Sequence, residues 1–315
     1  NVATNAGGPR CLKYGVTSDY VLGLEVVLPD GTITRVGSRT HKNKTGFDFP
    51  RFFTGTEGLL CVVTEVTLKL LPLPPYRAAL SVGMPTIAAA AKGLRQIFKA
   101  GFLPSALEIA DEFTLNAAMQ RTGSRRLSGC RGHLIVELDG QEKSVRSELR
   151  DVKRLLEPLK PRFVDQALGA EAVEAIWQLR REFSYSLRDT GLVKLNEDIV
   201  VPRGCLEKLL AFTARLQKKH GMPVACFGHA GDGNIHVNVM VDDTQAGHEQ
   251  RRDAALDELF RWIVKHDGVI TGEHGIGIAK KRWWPLAAGP EVRRLHQAVK
   301  DALDPKGIMN PGKFL

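Results

Sequence analysis

The chain has no apolar run near the roughly 18 residues that a membrane-spanning helix needs, so an embedded protein is not expected. Cysteine is sparse: Cys11, Cys61, Cys130, Cys205 and Cys226 are odd in number and scattered. No CxxC pair is present, which argues against a disulfide framework, a zinc knuckle or an iron–sulfur site within this chain. A reducing cytoplasm suits that thiol set; the expected location is cytoplasmic, extending at most to the inner face of the membrane. There is neither a GxGxxG nor a Walker A sequence, so nicotinamide-Rossmann and P-loop readings lack support. No internal repeat and no low-complexity segment stands out.

What is present is ordinary for a soluble globular protein: 315 residues, 43% hydrophobic and 25% charged. That length forms one large or two medium domains. The net charge of +9 raises the question of nucleic acid. Residues 280–315 hold eight Lys/Arg against three Asp/Glu, a net of +5, so more than half of the excess lies in one tail. Trp283, Trp284 and Phe314 are not interleaved with those charges as on a strand-binding platform. No nucleic acid is expected. The tail reads as a solvated basic face, or as help in holding an anionic cofactor or substrate.

The first 75 residues read as β-rich. Strands are expected over 21–28 and 32–36 around a Pro29-Asp30-Gly31 turn, and again within 58–71. Pro72, Pro74 and Pro75 then mark a boundary. From Tyr76 strands and helices alternate: strands near 78–82, 105–109, 133–138 and 162–165, with helices over 86–100 and 145–156. Two strand–helix–strand units suggest an α+β sheet with helices on one face, ferredoxin-like in outline. A second set follows, with helices over 170–188, 204–219 and 246–266 and strands near 192–201, 223–228 and 235–241. The chain closes with an amphipathic helix over 291–303 and a Pro/Gly-rich end that reads as a fixed loop. The expected parts are therefore 1–75, 76–284 and 285–315.

Chemistry concentrates in two stretches. In FGHAGDGNIHVNVM, His229 and His236 flank a Gly-Asp-Gly turn. Period-two alternation puts His236, Asn238 and Met240 on one strand face. Two imidazoles meeting across a turn suit Zn²⁺, Mn²⁺ or Fe²⁺. By this stretch alone they serve equally well as structural hydrogen-bonders. In GEHGIGIAKKRWW, Glu273 and His274 lie between glycines that let the backbone approach a ligand closely. Glu273 would complete a His–His–carboxylate set, and His274 would be free to act as a general base. Gly-bearing turns at 1–15 and 54–60 can cradle a phosphate or lie against a planar cofactor, although such turns are common in any fold. Arg180 and Arg181, in the helix over 170–188, are either solvated or substrate-binding.

These motifs together resemble the FAD-linked oxidase family with a vanillyl-alcohol-oxidase-type flavin domain, close to glycolate oxidase flavoprotein subunits and to D-lactate and D-2-hydroxyglutarate dehydrogenases. The likeness runs through NVATNAGG…LKYG, FTGTEGLL…TEVTLKLLPLPP, FGHAGDGNIH, GEHGIG and DPKGIMNPGKF, and covers essentially the whole chain. It implies the C-terminal half of a flavin domain over 1–75, a ferredoxin-like α+β cap with the metal site over 76–284, and a C-terminal segment returning to the flavin. It implies metal ligands at His229, His236 and Glu273, a catalytic base at His274, Asn238 beside the metal, and substrate contacts at Arg180 and Lys194. Asn5, Ala6, Gly7, Gly8, Glu57, Gly58, Val62 and Asn310 match stretches that line FAD. Cys61 stands where the family usually has glycine.

The implied activity is FAD- and metal-dependent oxidation of a small D-2-hydroxy acid, of the glycolate or D-lactate type. Electrons would pass from flavin to a quinone, a cytochrome or an iron–sulfur partner subunit. The family's first flavin-domain half is absent from the sequence, so a longer chain or another subunit is expected to supply it. The alternative from a different class is a non-catalytic fragment or scaffold subunit that binds no flavin by itself.

Overall fold

The computed structural model describes residues 1–315, which form two compact units. The first comprises Asn1–Gly8, Gly15–Pro72 and Ile270–Leu315; the second comprises Pro9–Tyr14 and Leu73–Val269. This division departs from the three-part expectation in two places. Residues 270–284 belong with the first unit rather than with the cap, because Glu57 of that unit holds them: its carboxylate accepts from the Ile276 and Gly277 amides, and within the segment Lys280 Nζ donates to the Ile270 carbonyl at 2.7 Å. Residues 9–14 belong with the second unit, because Arg10 pairs with Glu137 while Lys13 and Tyr14 both reach Asp139.

In the first unit, β1 (Val21–Val27) lies between β2 (Ile33–Gly37) and β3 (Val62–Leu68), antiparallel to both. The β1–β2 turn closes through the Leu28 amide on the Thr32 carbonyl, with Asp30 Oδ1 accepting from the Thr32 amide. Val21, Leu24, Val26, Phe53, Leu59, Leu60 and Cys61 form the core, and Val299, Leu303, Phe314 and Leu315 pack against it. The C-terminal segment thus returns to the half-domain that opens the chain. Burial raises the Cys61 thiol to about 11, so the cysteine acts there as a core residue.

That return is fixed by Lys300 on the terminal helix (Pro290–Leu303). Its Nζ donates to the carbonyls of Leu59 and Met309, both at 2.8 Å, and pairs with Asp304. Asp304 in turn accepts from the Ile308 and Met309 amides. The Pro/Gly-rich end is therefore a fixed loop, held by one buried ammonium and one buried carboxylate.

The second unit is built on a seven-stranded sheet, order β7-β4-β6-β5-β9-β10-β8, antiparallel throughout. The strands are β4 (Tyr76–Met84), β5 (Ala106–Asp111), β6 (Gly132–Gly140), β7 (Phe163–Leu168), β8 (Val193–Val200), β9 (Val224–His229) and β10 (Asn234–Val241). The first four, in the order β7-β4-β6-β5, give the ferredoxin-like arrangement, and the β9-β10-β8 set extends it past β5.

Helices cover both faces of this sheet, where cover on one face was expected. Call α1 the helix Ile87–Lys99, α2 Glu112–Thr122, α3 Glu142–Leu156, α4 Ala170–Arg188 and α5 Leu206–His220. A Cβ on Gly93 of α1 would meet Leu156 of α3 at 2.8 Å and Leu134 of β6 at 3.3 Å, so these helices lie tightly on the Leu134 face. On the opposite face Leu115 and Ala118 of α2 and Phe183 and Leu187 of α4 cluster with Ala110, Ala225, Phe227 and Met240. Helix α2 was not expected from the sequence. Its ends are nevertheless marked: Asp111 accepts from the Thr114 amide at the N-cap, and Gly123 is left-handed at the C-cap, φ 68.

Candidate active site

Strand β10 carries His236 and Asn238 on one face, as period-two alternation requires. The ladder sets His236 beside Phe227 and Asn234 beside His229, so His229 and His236 are diagonal neighbours across the β9–β10 hairpin. Their rings lie 5.6 Å apart, edge to face, with ligand atoms within 4.8 Å of one another. The hairpin is pinned: Asp232 Oδ1 accepts from the Asn234 amide, and the Gly231 amide donates to the Leu107 carbonyl. Glycine is required at 233, where φ is +92° and a Cβ would stand 2.1 Å from the Val201 carbonyl oxygen.

The two imidazoles are prepared differently. His229 Nδ1 bonds Glu108 Oε1 at 2.6 Å. A carboxylate only accepts, so His229 Nδ1 is the donor in this bond. Burial, then the nearby His229 and Arg180, push His236 down to about 3, so it is a neutral imidazole. Asn238 donates its amide to the carbonyls of Ala225 and His236, both at 3.1 Å, which fixes its orientation. Its Oδ1 is buried and has no hydrogen-bond partner. Two imidazoles and an unsatisfied buried oxygen on one face form a donor set that fits a divalent transition metal.

The other oxygen of Glu108 takes Arg180. Arg180 Nε donates to Oε2 at 2.6 Å, and the guanidinium lies 4.8 Å over the Phe227 ring. The neighbouring arginines thus separate: Arg180 is buried, while Arg181 is exposed and pairs with Glu174. Burial opposes the charge on Glu108, but His229 and Arg180 hold its carboxyl down at about 2. Lys194 lies opposite Met240 in the β8–β10 ladder, with Nζ on Ser184 Oγ at 2.8 Å. Burial, with Arg188 and Arg180 nearby, lowers Lys194 to about 8. Glu108 was not singled out from sequence. The available signal was an acid inside the apolar strand Ala106-Leu107-Glu108-Ile109-Ala110, a position that demands partners.

Glu273 and His274 lie in the first unit, on the turn that Glu57 holds. Glu57 Oε1 accepts from the Ile276 amide at 2.7 Å and Oε2 from the Gly277 amide at 2.8 Å. The Glu57 carbonyl accepts from Asn310 Nδ2, and the Glu57 amide donates to the Ala3 carbonyl at 2.7 Å. Asn5 Oδ1 accepts from the Ser18 amide, and the Ala6 carbonyl accepts from the Thr17 amide and hydroxyl. Asn5, Glu57 and Asn310 are all left-handed, with φ of 52°, 52° and 43°. Such strain persists only where the surroundings fix it. Within this unit, then, the structure brings the opening loop, the 54–58 turn, the GEHGIG turn and Asn310 into one network. A Cβ on Gly8 would meet nothing within 4 Å, so the opening loop keeps open backbone there, and Val62 at the start of β3 is half exposed. The Glu57 side chain is committed to the GEHGIG turn, which leaves backbone as its route to a cofactor.

The chain belongs to the FAD-linked oxidase family: residues 73–314 match the FAD-linked oxidases C-terminal domain, and residues 1–37 match an FAD binding domain. It is 34% identical to glycolate oxidase subunit GlcD of Bacillus subtilis (strain 168), over 100% of this chain and 67% of that protein. It is 34% identical to GlcD of Escherichia coli (strain K12), over 99% of this chain and 62% of that protein, and 31% identical to a D-lactate dehydrogenase of Anaerostipes hadrus, over 100% and 68%. The chain thus spans between 62% and 68% of the length of these relatives. Among solved structures it shares its fold with substrate-bound p-cresol methylhydroxylase, at a TM-score of 0.75 and 18% identity, covering 99% of this chain and 68% of that one.

Proposed function

We propose that the protein oxidises a small D-2-hydroxy acid, of the glycolate or D-lactate type, to the 2-oxo acid, using FAD and a divalent transition metal. The observation that carries this reading is the buried constellation His229–Glu108–Arg180 beside His236 and the unsatisfied Asn238 Oδ1. A pair of imidazoles there lies next to a buried cation, which supports a metal site beside a carboxylate site. The names of the glycolate oxidase and D-lactate dehydrogenase relatives support the same substrate class.

His229 and His236 would hold the metal, with Glu273 as the third ligand and Asn238 Oδ1 beside it. The metal would supply Lewis acidity that makes the substrate hydroxyl easier to deprotonate. His274 would accept that hydroxyl proton as general base. Arg180 spends Nε on Glu108, so its Nη edge would receive the substrate carboxylate, with Lys194 adding positive charge on the same face. Asn5–Gly8, Glu57–Gly58, Val62 and Asn310 would hold FAD, which would supply a two-electron acceptor for the C2 hydride. A quinone, cytochrome or iron–sulfur partner would take the electrons onward. The first unit leaves Val62, Leu68 and Leu70 exposed, a surface suited to cover by further flavin-domain sequence from a longer chain or another subunit.

The test combines elemental analysis, the visible flavin spectrum and dye-linked turnover of glycolate, D-lactate and L-lactate. The expected outcome is one equivalent of metal, a flavin band, preference for glycolate or D-lactate over L-lactate, and loss of activity with EDTA. A metal-free, EDTA-indifferent protein, or one with no turnover of any 2-hydroxy acid while flavin is bound, would overturn the reading.

A further inference from the structure

A single buried carboxylate joins the imidazole pair to the arginine. Glu108 is 1% exposed, and its two oxygens have different partners: Oε1 takes His229 Nδ1 and Oε2 takes Arg180 Nε, each at 2.6 Å. We infer that Glu108 is a positioning residue that couples metal retention to substrate-carboxylate binding. This inference rests on the metal-dependent reading above and deepens it.

The geometry follows from three elements. Strand β5 pairs with β9 with Ile109 opposite Gly228 and Ala110 opposite Phe227, which brings Glu108 level with His229 on the same face. Helix α4 crosses that face and presents Arg180 from above. One oxygen engages Nδ1 and fixes the ring orientation of His229, so Nε2 is the nitrogen through which it would hold the metal. Outer-shell partners of this kind are worth about 10–100-fold in metal affinity. The other oxygen occupies Nε of Arg180 and so turns the planar Nη edge away from Glu108, toward where a second carboxylate can form a two-bond fork. Because both bonds come from one rigid planar group, a rotation of the carboxylate moves the metal ligand and the substrate anchor together.

A purely structural role, tying α4 to the sheet, is already filled nearby. Trp177, one turn earlier on α4, donates its indole N–H to Glu137 on β6, and Glu137 is also held by Arg77 through two bonds of 3.1 and 2.9 Å. Trp177 therefore serves as the control: its loss loosens the same helix without touching His229 or Arg180.

The experiment measures metal affinity by chelator competition and KM and kcat by steady-state turnover, in the intact flavoprotein, for wild type, Glu108→Gln, Glu108→Asp and Trp177→Phe. In Glu108→Gln an amide N–H replaces one accepting oxygen and faces a donor, so one of the two bonds is lost. The expected result is metal affinity weakened about 10–100-fold together with a raised KM. Glu108→Asp, too short to span both partners, should fall between it and wild type, and supplies the answer should the glutamine variant fail to fold. Trp177→Phe should lower Tm while leaving metal affinity and KM unchanged. Wild-type metal affinity and KM in both Glu108 variants, with metal present in wild type, would overturn this inference alone. A wild-type protein that binds no metal would overturn the metal reading and this inference with it.

Discussion

In the second unit every residue of β9 and β10 is buried, and helices cover both faces of the sheet. In the first unit β2 alternates between exposed and partly covered residues, β3 has no fully buried residue, and Val62 and Leu68 remain about half exposed, at 52% and 50%. The contrast extends to the polar groups. The second unit sets its machinery by side-chain bonds between strands and a helix, around Glu108. The first sets it by carboxylate-to-amide bonds within loops, around Glu57, at backbone angles that L-residues rarely adopt. A strand face is stiff and close-packed, so it can hold a pair of histidines and an unsatisfied amide oxygen in place. A loop network keeps backbone open to a ligand, at a cost in local strain.

The largest effect expected from this contrast is on stability. Leu134, fully buried on β6, should cost about 2–5 kcal/mol when changed to alanine. Leu68→Ala, at the exposed edge of β3, should stay within about 0.5 kcal/mol. Urea denaturation of both variants checks this. With residues 1–315 alone in solution, comparable losses would mean that the first unit itself packs over Leu68 and that the contrast is wrong.

The second prediction sharpens the division within one turn. His274→Ala should keep its metal and lose roughly 10²-fold or more in kcat, the usual scale for a general base. Glu273→Ala should lose metal and raise KM while lowering kcat. Metal content and steady-state rates with a D-2-hydroxy acid decide it. Loss of metal from His274→Ala, or metal and affinity intact in Glu273→Ala, would reverse these roles.

How legible all this was in the sequence also differs between the units. The β9–β10 hairpin could be read directly, because period-two alternation and a Gly-Asp-Gly turn leave one arrangement for His229, His236 and Asn238. The helix carrying Arg180 could be read too, although only burial separates Arg180 from Arg181. Glu108 could not be assigned, since its partners lie 72 and 121 residues away. The same holds for the 9–14 segment, whose attachment depends on Glu137 and Asp139 more than 120 residues along the chain. Helix α2 was missed because its apolar spacing is irregular and only its caps, Asp111 and Gly123, mark it. In the first unit the glycines pointed to close backbone approach, but not to which carboxylate the GEHGIG amides would meet. That choice is made by tertiary packing.

The smallest effect tests whether Glu57 is held against its own backbone preference. Its φ of 52° lies in the left-handed region, where a non-glycine residue pays roughly 1–2 kcal/mol. Its carboxylate returns stability by bonding the Ile276 and Gly277 amides. Replacement by alanine removes both bonds and keeps the strain; replacement by glycine removes both bonds and relieves it. Glu57→Gly should therefore be less destabilised than Glu57→Ala by about 1 kcal/mol, even though glycine normally weakens a fold by enlarging the freedom of the unfolded chain. Both should melt below wild type, since a hydrogen bond to a charged group contributes about 1.5–3 kcal/mol. Thermal melts of the three proteins under one set of conditions suffice. If glycine proves worse than alanine, the turn carries no backbone strain, and the first unit holds its loops by bonding alone.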